Sequence, residues 1–369
     1  MNRSLFTMVN FSYFSANLVE RFKSMIKRIL VILFVVLSIH AYSQQEEQYS
    51  HYMFVPTAYN PGYMGLGDEI CVNGVHRQQW MGLEHTNSDG KTFSINPVTS
   101  FFSVDAAIHP IFGGVGINFK QDKLGAFTNT TVELGYSFHR NIGPGKIGIG
   151  VMGGLLDQTI DFTLFDPLDP QDPLLMGGGK EEQAMAFDMK FGAYYRVPGL
   201  WYAGISSSKL LQSEIGLPEK LAKPALSRHY YLTGGYVFRL AHPDFKIEPS
   251  AMIKSDLAAT QYDLTALVWY MDRFYGGLTY RTTDAISVLV GLRGWDQEIG
   301  LPDNKGAFKS TGSMLGISYD LTTSPLGAEG RSAGTFKGSF IIRQANFLVP
   351  SSQSHQYRDG IRGPVCQAT

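Results

Sequence analysis

The feature that most constrains this chain is an alternation of apolar with polar or small residues, which recurs past residue 67. In TTVELGYSFHR, for example, Val132, Leu134 and Tyr136 alternate with Glu133 and Gly135. Successive side chains of a β-strand point to opposite faces, so each such stretch predicts a strand with one apolar face. Two architectures satisfy this pattern, a water-soluble sandwich and a membrane barrel.

The length of the alternating stretches favours the membrane barrel. Many run for about ten residues or more, which a tilted strand needs to cross a bilayer, whereas strands of soluble proteins are usually nearer five or six. The polar faces carry charges that suit a water-filled lumen: Glu133, Lys190, Arg196, Arg293 and Asp320. Aromatic pairs near the strand ends fit the girdles of a membrane interface; they are Tyr194-Tyr195, Trp201-Tyr202, Tyr230-Tyr231, Trp269-Tyr270 and Phe274-Tyr275. The alternative is an aromatic core in a large sandwich.

The alternation predicts about fourteen strands, an even number as in single-chain bacterial barrels. They are placed at residues 68–80, 92–109, 112–122, 127–140, 146–160, 185–197, 200–209, 229–240, 245–256, 261–271, 274–282, 285–296, 310–322 and 334–343. The predicted fold class is all-β, a transmembrane antiparallel barrel over residues 67–345 with an N-terminal plug or periplasmic segment. Two long linkers, 165–183 and 210–227, are expected outside the membrane or partly over the mouth of the barrel.

An apolar leader precedes this region. Lys27 and Arg28 stand before the apolar run 29–39, and Ala41-Tyr42-Ser43 is a small-x-small cleavage pattern. The run is about half as long as the ~20 residues of a membrane-spanning helix. We therefore expect a signal peptide over residues 1–43, with Met25 as an alternative start, and export of the remaining chain.

Composition excludes several classes of partner and chemistry. The net charge of −1 at 17% charged residues gives no basic surplus, so no nucleic-acid partner is predicted. The two cysteines, Cys71 and Cys366, form no disulfide framework or metal cluster, and we expect two unpaired thiols. The run Asp166–Pro173 has three carboxylates that could bind calcium, but it is favoured as a solvated acidic loop. No cofactor and no metal are predicted.

Two motifs suggest enzymes and are rejected. Gly148-x-Gly150-x-x-Gly153 matches a dinucleotide fingerprint, but its glycines lie inside a predicted strand rather than before a helix. Small residues on one strand face instead allow the lumen to fill. Ser206-x-x-Lys209 matches an acylating serine motif whose companion elements are absent from the sequence. No enzymatic activity is predicted.

The stretch from Glu47 to Gly65, EQYSHYMFVPTAYNPGYMG, has no helix or strand period. Pro56 and Pro61 prevent a regular helix, and Asn60-Pro61-Gly62 predicts a turn before the first strand. So many aromatic side chains need a partner. Residues 44–66 are therefore predicted to enter the lumen as a plug or to dock on a periplasmic protein.

This stretch resembles the amino-terminal motif of the PorP/SprF family, outer-membrane barrels of the type IX secretion system. The matching or candidate interaction and plug residues are Gln48, Tyr49, Tyr52, Met53, Phe54, Pro56, Asn60, Pro61, Tyr63 and Gly65. Arg77, Gln79 and Trp80 are similar to the family's first-strand signature, and Ser103-Val104-Asp105-Ala106 to its second-strand step. Val55 departs from the family pattern, as do Gly62-Tyr63-Met64 and the tail 346–369.

The resemblance implies a non-enzymatic protein in the outer membrane of a Gram-negative bacterium. The implied partners are the periplasmic ring lipoprotein complex, a secreted cargo protein or gliding adhesin, and outer-membrane lipid. Two alternatives remain: a passive channel for small solutes similar to long-chain fatty-acid transporters, and an outer-membrane lipid hydrolase, for which no serine–histidine arrangement is evident.

Overall fold

The computed structural model describes residues 48–86, 90, 92–165, 181–215, 225–282, 284–294, 297–299, 308–310, 312–323 and 334–345. The predicted signal peptide, the acidic run Asp166–Pro173 and the tail 346–369 lie outside these residues. No helix in the described part of the chain is long and apolar enough to cross a membrane.

Fourteen antiparallel strands form one closed barrel. Each strand pairs with its neighbours in the chain, and the first pairs with the last through Glu69↔Ala345 to Gln78↔Phe336. The strands are β1 (Glu69–Gln78), β2 (Val98–Ile108), β3 (Gly113–Leu124), β4 (Phe127–Ile142), β5 (Gly145–Asp161), β6 (Glu181–Val197), β7 (Trp201–Ser208), β8 (His229–Tyr236), β9 (Phe245–Ser255), β10 (Thr260–Tyr270), β11 (Phe274–Arg281), β12 (Ala285–Arg293), β13 (Gly312–Thr322) and β14 (Thr335–Ala345). The prediction of a closed antiparallel barrel is confirmed, and the sandwich alternative is wrong.

Short strands and 3₁₀ turns lie outside the fourteen barrel strands. Phe238–Arg239 adds a brief pairing to β9, Glu84–Thr86 pairs with Thr92–Ser94, and Gln297–Ile299 pairs with Phe308–Ser310. Single 3₁₀ turns lie at Tyr52–Phe54, Pro56–Ala58, Pro61–Tyr63, His109–Ile111 and Phe162–Leu164. The predicted strand 92–109 is interrupted before β2, where Pro97 has no N–H to donate and its carbonyl accepts from Gln79 N at 2.8 Å.

The outer surface of the barrel is apolar. Many large outward-facing side chains are 40–63% exposed; among them are Leu134, Ile149, Val151, Leu278, Val288, Val290, Leu315, Ile317 and Leu321. A continuous apolar surface of this kind is unstable in water and matches the hydrocarbon of a bilayer.

The two openings of the barrel differ in their connections. At one, the links are mostly short: 109–112, 143–144, 198–200, 237–244 and 271–273, with 294–311 longer. At the other lie the longer links 79–97, 162–180, 209–228 and 323–334, together with the short links 125–126, 256–259 and 282–284. We call these the short-turn opening and the long-loop opening. Outer-membrane barrels keep short turns in the periplasm and long loops outside, so the short-turn opening faces the periplasm.

One long-loop link packs back on the barrel. Ile215 and Leu226, from the link 209–228, are buried against Ile160, Ala184 and Ala186 at the outer ends of β5 and β6. These strands are longer than a bilayer requires. Their extended ends therefore form a second small apolar cluster at the long-loop opening.

The two members of each aromatic pair face opposite sides of the barrel wall, one toward the lumen and one toward lipid. Consecutive residues of a strand point to opposite sides, so only one member of each pair can face lipid. The others point into the barrel and are 0–4% exposed: Tyr194, Tyr202, Tyr231, Trp269 and Tyr275. The prediction that both members fit the girdles was wrong for these residues.

Candidate functional site

The candidate site is the lumen, which contains residues Gln48–Leu66, here called the lumen segment. Its backbone follows three successive 3₁₀ turns, two of which begin at Pro56 and Pro61. Proline fixes φ at the start of a turn and cannot donate within a longer helix. Asn60 precedes the third turn and its Oδ1 accepts from Gly62 N at 2.9 Å. The sequence thus holds the lumen segment compact without regular secondary structure.

The lumen segment is buried along its length. Ser50, His51, Val55 and Met64 are 0% exposed. Its aromatic rings contact the inward aromatic residues of the wall, with centroid distances of 5.2 Å for Phe54–Tyr275 and Tyr59–Tyr231 and 5.1 Å for Tyr63–Tyr194. Aromatic pairs at this spacing are stabilising beyond their buried area.

Glycines on the wall allow the lumen segment to approach closely. A Cβ at Gly148 would lie 2.1 Å from Gly62 O, and one at Gly150 would lie 2.3 Å from Pro61 O. A Cβ at Gly114 would likewise lie 2.3 Å from Met64 O. These distances are too short for any side chain, so the strand glycines provide the space in which the backbone of the lumen segment lies. The structural interpretation of Gly148 and Gly150 is confirmed.

Polar contacts fasten the carboxyl-terminal half of the lumen segment. Ser137 Oγ donates to Gly62 O at 3.0 Å, and Asn60 Nδ2 donates to the carbonyls of Ala193 and Ile205 at 3.0 and 3.1 Å. Asp105 Oδ2 accepts from Gly65 N at 2.8 Å. These bonds satisfy backbone groups that would be unpaired in a dry lumen.

The middle of the lumen segment is held by donors from the opposite strands. Asn118 Nδ2 donates to Thr57 O at 3.0 Å, and Lys190 Nζ donates to Ala58 O at 3.1 Å. Lys190 also pairs with Glu133 Oε1 at 2.8 Å. Of the five charged residues expected in a water-filled lumen, four are only 1–9% exposed: Glu133, Lys190, Arg196 and Asp320. That expectation was wrong, because protein atoms occupy the space around them.

A belt of ionic side chains surrounds the amino-terminal half of the lumen segment. Lys254 Nζ and Arg281 Nε contact Asp263 at 2.8 and 3.2 Å, and Lys337 Nζ contacts Asp320 Oδ2 at 2.6 Å. We call these five residues the ion belt. They lie on β9, β10, β11, β13 and β14 and are 0–2% exposed.

Ser50 joins the lumen segment to the ion belt. Its Oγ lies 3.2 Å from both carboxylate oxygens of Asp320, accepts from Arg281 Nη2 at 3.1 Å and also contacts Lys337 Nζ. Ser287 Oγ lies 3.0 Å away. A buried charge is costly unless its partners are fixed, so this network favours one position of the lumen segment.

The sequence-predicted site residues fall into two groups. Within the lumen, Tyr52 OH lies 2.9 Å from Ser250 Oγ, Tyr49 N donates to Tyr59 OH, and Met53 and Phe54 are buried. Arg77 and Asp105 also point inward and are 3% exposed. By contrast, Gln79 and Trp80 follow β1 at the long-loop opening and are partly exposed.

Cys71 differs from the expectation of a free thiol. It is 1% exposed on the inner face of β1 and is disulfide-bonded. Its partner lies outside the described residues. Phe340 lies inside β14 and is 40% exposed on the outer face.

Sequence reasoning missed most of the wall that receives the lumen segment. The ion belt, Asn118, Ser137 and the inward aromatic residues all occupy the polar or small phase of the alternation, which the sequence alone does not distinguish from a solvated lumen. Charged residues repeated at inward positions near one end of several strands were the available signal. Among the described residues no cluster of three metal-ligating side chains occurs.

A closed barrel with an apolar outer surface and a lumen filled by its own amino-terminal segment defines an integral outer-membrane protein. The sequence from residue 41 to residue 340 matches the family described as type IX secretion system membrane protein PorP/SprF, and the chain belongs to this family. It is therefore an outer-membrane component of the type IX secretion system. The family predicted from the amino-terminal motif is confirmed.

Solved structures with some similarity to this chain include an outer-membrane protein, a FadL homologue and a toluene transporter. Omp33 of Acinetobacter baumannii has a TM-score of 0.38 and 6% identity, over 75% of this chain and 99% of that chain. A FadL homologue of Pseudomonas aeruginosa has a TM-score of 0.39 and 8% identity, over 77% and 92%. The toluene transporter TbuX of Ralstonia pickettii has a TM-score of 0.42 and 12% identity, over 77% and 91%. No curated protein matches the sequence.

Proposed function

We propose that this protein assists the export or surface attachment of specific secreted proteins or adhesins and that it acts through protein contacts rather than as a passage. Its family membership supports a role in type IX secretion. The observation that favours a binding role is the occupied lumen. There the lumen segment contacts the wall glycines Gly114, Gly148 and Gly150 and also the ion belt. On this proposal the lumen segment is a plug, and the protein is not an enzyme.

We further propose that the short-turn opening docks to the periplasmic ring lipoprotein complex. Tyr52 and Tyr63, two of the predicted interaction residues, are 1–2% exposed and held inside the barrel. A periplasmic protein would instead meet the turns around the short-turn opening, where Phe112 is 72% exposed. The test is photo-crosslinking in native membranes.

A photo-reactive residue at Phe112 is expected to crosslink to a periplasmic component of the secretion machine. Leu257 is the matched control, because it is 80% exposed in the turn 256–259 at the long-loop opening. A crosslink to the same component from Leu257, or none from Phe112 in cells that secrete normally, would contradict docking at the short-turn opening.

The export role is tested separately by deleting the gene. The expected result is loss of specific secreted proteins or adhesins from the cell surface while small-solute permeability of the outer membrane stays unchanged. Unchanged export would refute the proposal, and increased exclusion of small solutes would favour the passive-channel alternative.

A further inference from the structure

The lumen segment has a definite direction. At its carboxyl-terminal end, Met64 lies against Gly114, the second residue of β3, and Asp68 Oδ1 contacts Lys146 Nζ, near the start of β5, at 2.6 Å. Both strands begin at the short-turn opening. This end of the segment therefore lies on the periplasmic side.

The amino-terminal end of the lumen segment lies at the other opening. Gln48 Oε1 is 3.5 Å from Gln261 Nε2, in the second residue of β10, which begins at the long-loop opening. Ser50 contacts Arg281, the last residue of β11, and Lys337, the third residue of β14. Both wall residues lie near the long-loop opening. From Leu66 back to Gln48, the segment thus runs the height of the lumen from the periplasmic to the extracellular side.

We infer that the amino terminus of the mature chain emerges at the extracellular opening of the barrel, which gives the cell surface a free peptide end. The inference rests on the periplasmic placement of the short turns and on cleavage after Ser43. It adds a surface-exposed element that is distinct from the periplasmic docking site proposed above.

The chain before Gln48 is too short to return to the periplasm. Cleavage after Ser43 leaves residues 44–47, which span at most about 14 Å when fully extended. A return would also need space beside a segment that already occupies the lumen, and protein interiors are close-packed. Residues 44–47 have the sequence QQEE, with the carboxylates of Glu46 and Glu47 and no basic side chain.

Single cysteines and a membrane-impermeant maleimide test this placement in intact cells. Gln45→Cys and Glu46→Cys report on the amino terminus. Ala258→Cys, in an exposed turn at the long-loop opening, is the extracellular control. His242→Cys, whose native side chain is 65% exposed in the link 237–244, is the periplasmic control. The unsubstituted protein gives the background from its own cysteines.

Both amino-terminal variants are expected to label as Ala258→Cys does, equally before and after permeabilisation of the outer membrane, whereas His242→Cys labels only afterwards. Labelling that follows His242→Cys, or no labelling in either condition, would overturn the inference. Two adjacent amino-terminal variants guard against one that fails to assemble. The result does not depend on export, so its failure is distinguishable from failure of the proposed function.

Discussion

The close approach of Gly148 to Gly62 makes a sharp test of the occupied lumen. In Gly148→Ala the new Cβ would lie 2.1 Å from Gly62 O, whereas ordinary contact begins near 3.4 Å, so the backbone of the lumen segment must withdraw by about 1 Å. Overpacking of this kind costs about 1–3 kcal/mol. Withdrawal also breaks the hydrogen bond from Ser137 Oγ, worth about 1 kcal/mol. The expected loss is therefore about 2–4 kcal/mol of the free energy that keeps the lumen segment in place.

Hydrogen exchange of the purified protein measures this loss directly. If amides of residues 48–66 exchange through opening of the lumen segment, a loss of about 2–4 kcal/mol accelerates their exchange about 30- to 1,000-fold. Gly153→Ala is the matched control on the same strand, because its Cβ would meet only the ring of Phe187 at 3.3 Å or more. Unchanged exchange in Gly148→Ala, or equal acceleration in both variants, would refute the reasoning.

Three further outcomes are expected. Deletion of residues 48–64 should turn a silent barrel into a conducting one in planar bilayers, and a wild-type protein that conducts equally would contradict the plug. Partial burial acts to raise the pKa of Asp272, but the hydrogen bond and charge of Lys246 outweigh it and lower that pKa; the stabilisation is thus present above pH 3.8 and lost as the pH falls below it. Asp272→Asn should reduce the fall in thermal stability below pH 3.8 relative to wild type, and an unaltered profile would show that the Lys246–Asp272 pair does not contribute to stability. Because Cys366 is the one other cysteine in the sequence, non-reducing peptide mapping should find it linked to Cys71, and a free Cys71 thiol would contradict this.

Strand boundaries were accessible from the sequence because the alternation is local. Each of the fourteen predicted strands overlaps one barrel strand; thirteen differ only by ends shifted by a few residues, whereas 92–109 is interrupted at Pro97. Closure followed from the even number of strands and from the need to leave no edge unpaired in lipid.

The content of the lumen was less accessible. The sequence predicted both a plug and a water-filled lumen with charged walls. These predictions exclude each other, because a plug and water would occupy the same space beside the inward-facing side chains. The plug interpretation needed contacts between residues far apart in the chain, such as Ser50 with Asp320 and Lys337. No periodicity encodes such pairs.

By itself the sequence determined the class of fold, because a two-residue period over membrane-length stretches leaves few stable arrangements, and its amino-terminal motif indicated the family. Only the tertiary structure decided what the inward face does. From the sequence, Gly148 is only a small residue in a strand. The structure shows that Gly62 O lies where a side chain at this position would be. Likewise, the sequence shows Tyr194 and Tyr195 only as two adjacent tyrosines. In the structure Tyr194 packs against Tyr63 in the lumen, and Tyr195 points to the opposite, lipid-facing side. These assignments depend on which distant backbone fills the lumen, and that is settled by packing in three dimensions rather than by local pattern.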